Sequence, residues 1–272
     1  MTTNETNPPA SRIAKAIERV LNEGAIAVLV TLVAAPANVG AKLLVEETGA
    51  VTGSLGAEDL DRAVTRLAGR FLASTDEAHT FRVTEFASEL TDWSEAQVLF
   101  ERIEPEPHIV VCGAGHVGAS LAQLASLTGY RTTLIDDRAE FVTRERFPDE
   151  RIDPVAATNW TAAVRKAIGN GRGVSVAVVT RGHNEDEECM QAIIITNADY
   201  VGLIGSKRRT NIVLDRLRQE GADEERLKCV HAPIGLDIGA VTPEEVALAI
   251  LAEIVAKRRA GKGGSLSAWR RE

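Results

Sequence analysis

HIVVCGAGHVGASLA, residues 108–122, sets an apolar run against three glycines and then a helical pattern. Gly113, Gly115 and Gly118 fall in the spacing G-x-G-x-x-G, directly after a predicted strand and at the mouth of a predicted helix. In that setting the first glycine permits a tight turn, the second lets backbone approach a pyrophosphate, and the third allows helix and strand to pack closely. The free amides of the helix start favour an anion. Asp136 closes the next predicted strand, near the roughly 20-residue offset of the acid that grips a ribose hydroxyl. Asp137 doubles that acid. The same pattern also fits a tight strand–helix turn without a ligand. His116 either faces a ligand phosphate or simply begins the helix.

Working outward toward the C-terminus, strand and helix patterns alternate. HIVVC is followed by a helix over 116–129, the strand YRTTLID, a helix near 159–168 and the strand VSVAVVT. A helix over 184–196, the strand YVGLIG, a helix over 207–220, the strand LKCVHA and a last helix from Pro243 to about Ala260 complete the series. Short, nearly continuous apolar strands in such alternation indicate a doubly wound parallel sheet covered on both faces, Rossmann-like in character. Thr242, Pro243 and Glu245 form a capping box with proline in the first turn, and Val246, Ile250 and Ile254 make the stripe that should pack on the sheet.

Toward the N-terminus the organisation changes. SRIAKAIERVLNEG reads as an amphipathic helix with Ile13, Ile17, Val20 and Leu21 on one face and Gly24 as its stop. The strands AIAVLVTLVA, AKLLVEETG and AVTGSL follow, then a helix over AEDLDRAVTRLAGRFLAS and two strands around HTFRVTEF and QVLFERI. Grouped strands and helices make this a smaller α+β domain. EPEP at 104–107 suits an extended connector. The expected organisation is a flexible leader over 1–11, the α+β domain over 12–103, the linker, the Rossmann-like domain over 108–260 and a flexible basic tail over 261–272.

Composition narrows the function classes. The 272 residues are 44% hydrophobic and 26% charged, as in ordinary globular proteins. No run approaches the roughly 20 apolar residues of a bilayer span, and the first residues lack a secretory pattern, so a cytoplasmic address is expected. Cys112, Cys189 and Cys229 are widely scattered and fit neither a disulfide framework nor a CxxC metal site. A net charge of −8 argues against broad nucleic-acid binding.

In an open α/β sheet the ligand crevice lies beyond the carboxyl ends of the strands, so the segments after VSVAVVT and YVGLIG should line it. Arg181 and His183 stand at the first of these ends, as groups for an anionic ligand or as surface residues before an acidic helix start. Ser206, Lys207 and Arg208 open the next helix, suited to phosphate or to a solvated face. Asp237, in HAPIGLDIGAVTPEE, sits among prolines and glycines in either a binding loop or an ordered loop docked on the sheet.

HIVVCGAGHVG, LIDDRAEFVTRERFPD, VVTRGHNEDEECMQ, YVGLIGSKRR and HAPIGLDIGAVTPEEVALAILAEIVAKRR, in that order, resemble the xanthine dehydrogenase accessory factors of the XdhC/CoxI family. The resemblance implies a chaperone that binds molybdenum cofactor as molybdopterin or its dinucleotide form. It would support the cofactor's sulfuration with a cysteine desulfurase and its insertion into a xanthine dehydrogenase-like molybdenum hydroxylase. It also implies a homodimer. In the first domain LVAAPANVGAKLLV is similar to the family's small-residue loop. GSLGAEDLDRAV, however, has Ala57, Glu58 and Asp59 where the family carries glycine and a cysteine.

Two other functions fit the same residues. A NAD(P)-dependent oxidoreductase would use the glycine loop and Asp136, with a group such as His183 for proton transfer. The chain has no Tyr-x-x-x-Lys pair to support it. A ligand-sensing or scaffold protein would keep the fold without transfer, consistent with the missing first-domain thiol.

Overall fold

β-branched and aliphatic residues in alternation build the first sheet. In this computed structural model, which describes residues 10–74 and 76–267, the chain divides into two compact units, Met1–Pro105 and Glu106–Glu272. The first unit runs α1 (Ala10–Asn22), β1 (Ala27–Ala34), β2 (Lys42–Glu46), β3 (Val51–Ser54), α2 (Glu58–Leu72), β4 (Ala78–Arg82) and β5 (Gln97–Ile103). Its five strands lie in the order β3-β2-β1-β5-β4, and every pairing is antiparallel.

The two-residue period of β1 assigns its faces. Val28, Val30 and Leu32 join Leu60, Val64, Leu67 and Phe71 of α2 in one core. Ala27 and Leu29 turn toward Val20 and Ile17 of α1. Leu21, expected on the inner face of α1, is 39% exposed, because one residue past Val20 the helix has rotated away from the sheet. Strand character in HTFRVTEF stops at Arg82, which pairs with Gln97, the first residue of β5. With no partner residue beyond, Val83–Glu85 forms a 3-10 turn whose Val83 amide donates to Ala96 O.

The second unit runs β6 (His108–Cys112), α3 (His116–Leu127), β7 (Arg131–Asp136), β8 (Ile152–Ala156), α4 (Trp160–Ile168), β9 (Val174–Val178), α5 (His183–Ile193), β10 (Tyr200–Leu203), α6 (Lys207–Gln219), α7 (Glu224–Lys228) and α8 (Pro243–Arg258). The sheet order is β10-β9-β6-β7-β8, all parallel, so the order reverses direction between β6 and β9. One face packs Ile109, Val111 and Leu134 against Leu121 and Ala125 of α3 and Ile250 and Ile254 of α8. The other packs Val110, Ile135, Val176 and Val178 against α4, α5 and α6 through Trp160, Val164, Met190, Ile193, Val213 and Leu217. This is the Rossmann-like, doubly wound arrangement.

Two elements depart from the sequence reading. Strand β8 is an addition to it, since Pro154 interrupts IDPVA; at the sheet edge one side of the strand needs no donor, so proline is tolerated. LKCVHA is not a strand. Asp223 caps a short helix that takes in Leu227 and Lys228, and the segment meets the sheet at a single bridge, Gly202 with His231. The capping box of α8 is formed: the Thr242 hydroxyl accepts from the Glu245 amide, and the Glu245 carboxylate accepts from the Thr242 amide at 2.9 Å. Of the expected leader and tail, residues 1–9 and 268–272 lie outside the described residues. Ala10 is already helical, and the chain over 261–267 continues without helix or strand.

Candidate functional site at the glycine loop

The site forms where the sheet order reverses. Gly113 follows β6 with φ +112°, a conformation that disfavours side chains, and a Cβ there would lie 2.6 Å from Val179 O at the end of β9. A Cβ on Gly118 would sit 1.8 Å from Gly113 O, so α3 can approach its own loop only through glycine. Gly115 differs from both. It is the N-cap of α3, has ordinary φ, and a Cβ there would meet nothing within 4 Å. Two glycines therefore close the loop on the protein, and the third leaves open space beside the first amides of α3. No carboxylate occupies the first turn and no side chain caps it. The helix start keeps its partial positive charge for an anion.

Asp136 ends β7 and is 2% exposed. Its Oδ1 accepts from the Arg138 amide at 3.0 Å and Arg138 Nε at 2.8 Å. Its Oδ2 accepts from the Ala114 amide at 2.7 Å and Arg138 Nη2 at 2.9 Å. Burial alone would raise this carboxyl, but the Arg138 side chain, the Ala114 and Arg138 amides and the Arg138 charge outweigh it and hold the pKa at about 2. Asp136 is thus a constant anion that staples the glycine loop.

The remaining candidates spread along the carboxyl edge of the sheet. Arg181 follows β9 and bridges to Asp137 after β7 at 2.9 Å and to Glu185 at 3.4 Å, linking the loops on either side of β6. His116 and His183 are exposed in the first turns of α3 and α5. Ser206 is the N-cap of α6, its hydroxyl accepting from the Arg209 amide at 3.3 Å, while Lys207 and Arg208 are exposed beside it. Asp237 is exposed in the loop before α8.

A second buried acid is absent from the sequence reading. Asp186, fully buried in α5, accepts from Thr180 Oγ1 at 2.5 Å and from Arg209 at 3.1 and 2.5 Å. Burial pushes its carboxyl up, while Thr180 and Arg209 pull it down. The cluster ties the end of β9 to the starts of α5 and α6, fixing the loops that flank the glycine turn. The available signal was an acid one turn into NEDEE, at the position where the buried face of α5 begins.

Residues 109–254 match the family model described as the XdhC Rossmann domain, and residues 20–84 match that of the XdhC and CoxI family. The chain belongs to the XdhC and CoxI family. Among its relatives, the uncharacterized protein YqeB of Escherichia coli is 30% identical over 228 residues, covering 82% of this chain and 41% of that protein. A protein of Bacillus subtilis described as a probable subunit of xanthine dehydrogenase is 29% identical over 162 residues, covering 60% of this chain and 46% of that protein. The chain spans less than half the length of these relatives. A crystal structure described as a xanthine dehydrogenase from Bacillus halodurans aligns with a TM-score of 0.50 at 17% identity, covering 94% of this chain and 98% of that one, a likeness of fold. In this XdhC Rossmann domain the thiols Cys112 and Cys189 are buried and Cys229 is exposed. Cys189, hydrogen-bonded to Cys112 and desolvated, is held far above the usual thiol range and stays protonated.

Proposed function

We propose that this XdhC and CoxI family member binds molybdenum cofactor at the glycine loop and serves its sulfuration and insertion into a xanthine dehydrogenase-type molybdenum hydroxylase. The observation that carries the reading is the open start of α3, with no acidic residue in its first turn and no capping side chain, at the point where the sheet order reverses. The cargo is a pterin bearing a phosphate, or a pyrophosphate in its dinucleotide form, and fits amides left without a capping side chain. Gly115 lets such a group approach the backbone. His116, Arg181, His183, Ser206, Lys207, Arg208 and Asp237 remain candidate contacts on the same edge.

Xanthine dehydrogenase in a relative's name supports a molybdenum hydroxylase partner. In the first unit no thiol stands at positions 57–59. A sulfur step using this chain's own thiol, supplied by a cysteine desulfurase, would therefore fall to Cys229, the exposed cysteine among the described residues. A homodimer is the assembly expected, to be checked by light scattering.

The test is expression in a host that makes molybdenum cofactor, with mass analysis of the copurifying small molecule, beside a gene deletion. Copurifying molybdopterin, and a hydroxylase that assembles without cofactor in the deletion strain, are the expected results. A ligand-free protein together with a fully active hydroxylase in the deletion strain would remove the reading. A NADH titration distinguishes the oxidoreductase alternative, which requires saturable binding.

A further inference from the structure

Where a Rossmann-like domain binds a nucleoside, an acid at the end of the second strand accepts hydrogen bonds from the ribose diol, and an arginine nearby accommodates a phosphate instead. A carboxylate offers about four lone-pair sites. At Asp136 four donors already fill them, two on each oxygen, three of them supplied by Arg138. A ribose diol could enter only by displacing Arg138, which would leave a buried carboxylate without its counter-charge. Asp137 is itself engaged by Arg181 at 2.9 Å.

The surroundings suit an anion better. The Arg138 guanidinium lies 3.7 Å above the Phe141 ring, and its Nη1 has no hydrogen-bond partner among the described residues. Arg146 lies 5.0 Å from the same ring, donates through Nη1 to Phe141 O at 2.9 Å, is exposed, and has no carboxylate partner among the described residues. Phe141 thus holds two guanidinium groups in place beside the end of β7, and such forks match phosphate geometry.

We propose that the glycine-loop site selects a ligand presenting a phosphomonoester to Arg138 and Arg146 and rejects one presenting an unsubstituted ribose diol to Asp136. The inference rests on the reading that the loop holds a nucleotide- or pterin-type anion.

Adenosine 2′,5′-bisphosphate and adenosine 5′-diphosphate are isomers of similar charge; the first carries its second phosphate on the diol, and the second carries it in a 5′ pyrophosphate and leaves the diol free. Calorimetric titration of the full chain is expected to favour the bisphosphate by roughly tenfold to a hundredfold, as for charge-assisted hydrogen bonds. Arg146→Ala should remove much of that preference. Arg138→Ala should shift it toward the diphosphate, because Asp136 regains free lone pairs. Should Arg138→Ala fail to fold, Arg146→Ala still decides, since its side chain is exposed. Equal affinities, or tighter diphosphate binding by the unaltered chain, would overturn the selectivity and leave the glycine-loop reading standing. If neither isomer binds at millimolar concentration, both fall.

Discussion

Helices α2 and α3 each begin after a glycine turn that closes a β-strand, yet they use their amide ends differently. Before α2, Gly56 has φ +106° and Ala57 offers no side-chain cap. The first turn carries Glu58, Asp59 and Asp61. Asp59 accepts from the Leu60 amide at 2.8 Å, and Asp61 accepts from the Leu55 amide and the Ser54 hydroxyl, each at 2.7 Å. The first turn of α3 contains no acidic residue and no capping side chain; Asp136 accepts from the Ala114 amide, one residue before the N-cap, and from no amide of the turn itself. Acidic residues at a helix N-terminus neutralise the same partial charge that would attract an external anion. The first unit has spent this feature on its own turn, and the second has kept it.

The largest effect that sharpens this comparison comes from the third glycine. Gly118→Ala drives a Cβ into backbone and should cost more than about 3 kcal/mol or unfold the second unit, read by urea denaturation. Retention of normal stability would mean that α3 does not lie against its loop as described.

Next comes acid sensitivity in the same unit. His108, at the start of β6, is lowered from 6.5 to about 4, chiefly by burial and then by Arg131. The folded state keeps it neutral while the unfolded chain takes up a proton below pH 6.5. Stability from this group is therefore present above that pH and is lost as pH falls toward 4, by about 3 kcal/mol in all. His108→Gln should flatten the unfolding midpoint over that window, and an unchanged pH slope would count against a buried neutral imidazole.

In the first unit, Asp61→Ala should cost about 1–3 kcal/mol by orphaning the Leu55 amide, without changing ligand affinity at the glycine loop. A parallel loss of binding would break the contrast between the two helix starts. Smallest in stability is Gly115→Ala, expected within about 0.5 kcal/mol because the new methyl meets nothing. Its effect should appear in ligand titration, where the methyl enters the space left for the anion.

Much of this contrast was legible in the chain. Spacing and position predicted a glycine loop between β6 and α3, and Thr242, Pro243 and Glu245 predicted the start of α8, because such signals act within one turn. Pro154 hid β8, since tolerance of proline depends on edge position, which only the assembled sheet defines. Leu227 and Lys228 look like strand residues beside Val230, but the cap at Asp223 draws them into a helix. At the site, Asp136 could be recognised as a strand-end acid, whereas its saturation could not. That depends on the Arg138 side chain folding back two residues and on Ala114 arriving from the loop after another strand, β6. Asp186 and Arg209, 23 residues apart, meet only after α5 and α6 pack side by side.

Amide NMR of the full chain during titration with molybdenum cofactor, and separately with pyrophosphate, tests the central claim most directly. The account predicts saturable shifts concentrated at the amides of Gly115, His116 and Val117, weakened in Gly115→Ala. Unperturbed amides there under saturating ligand, or shifts confined to the start of α2, would contradict it.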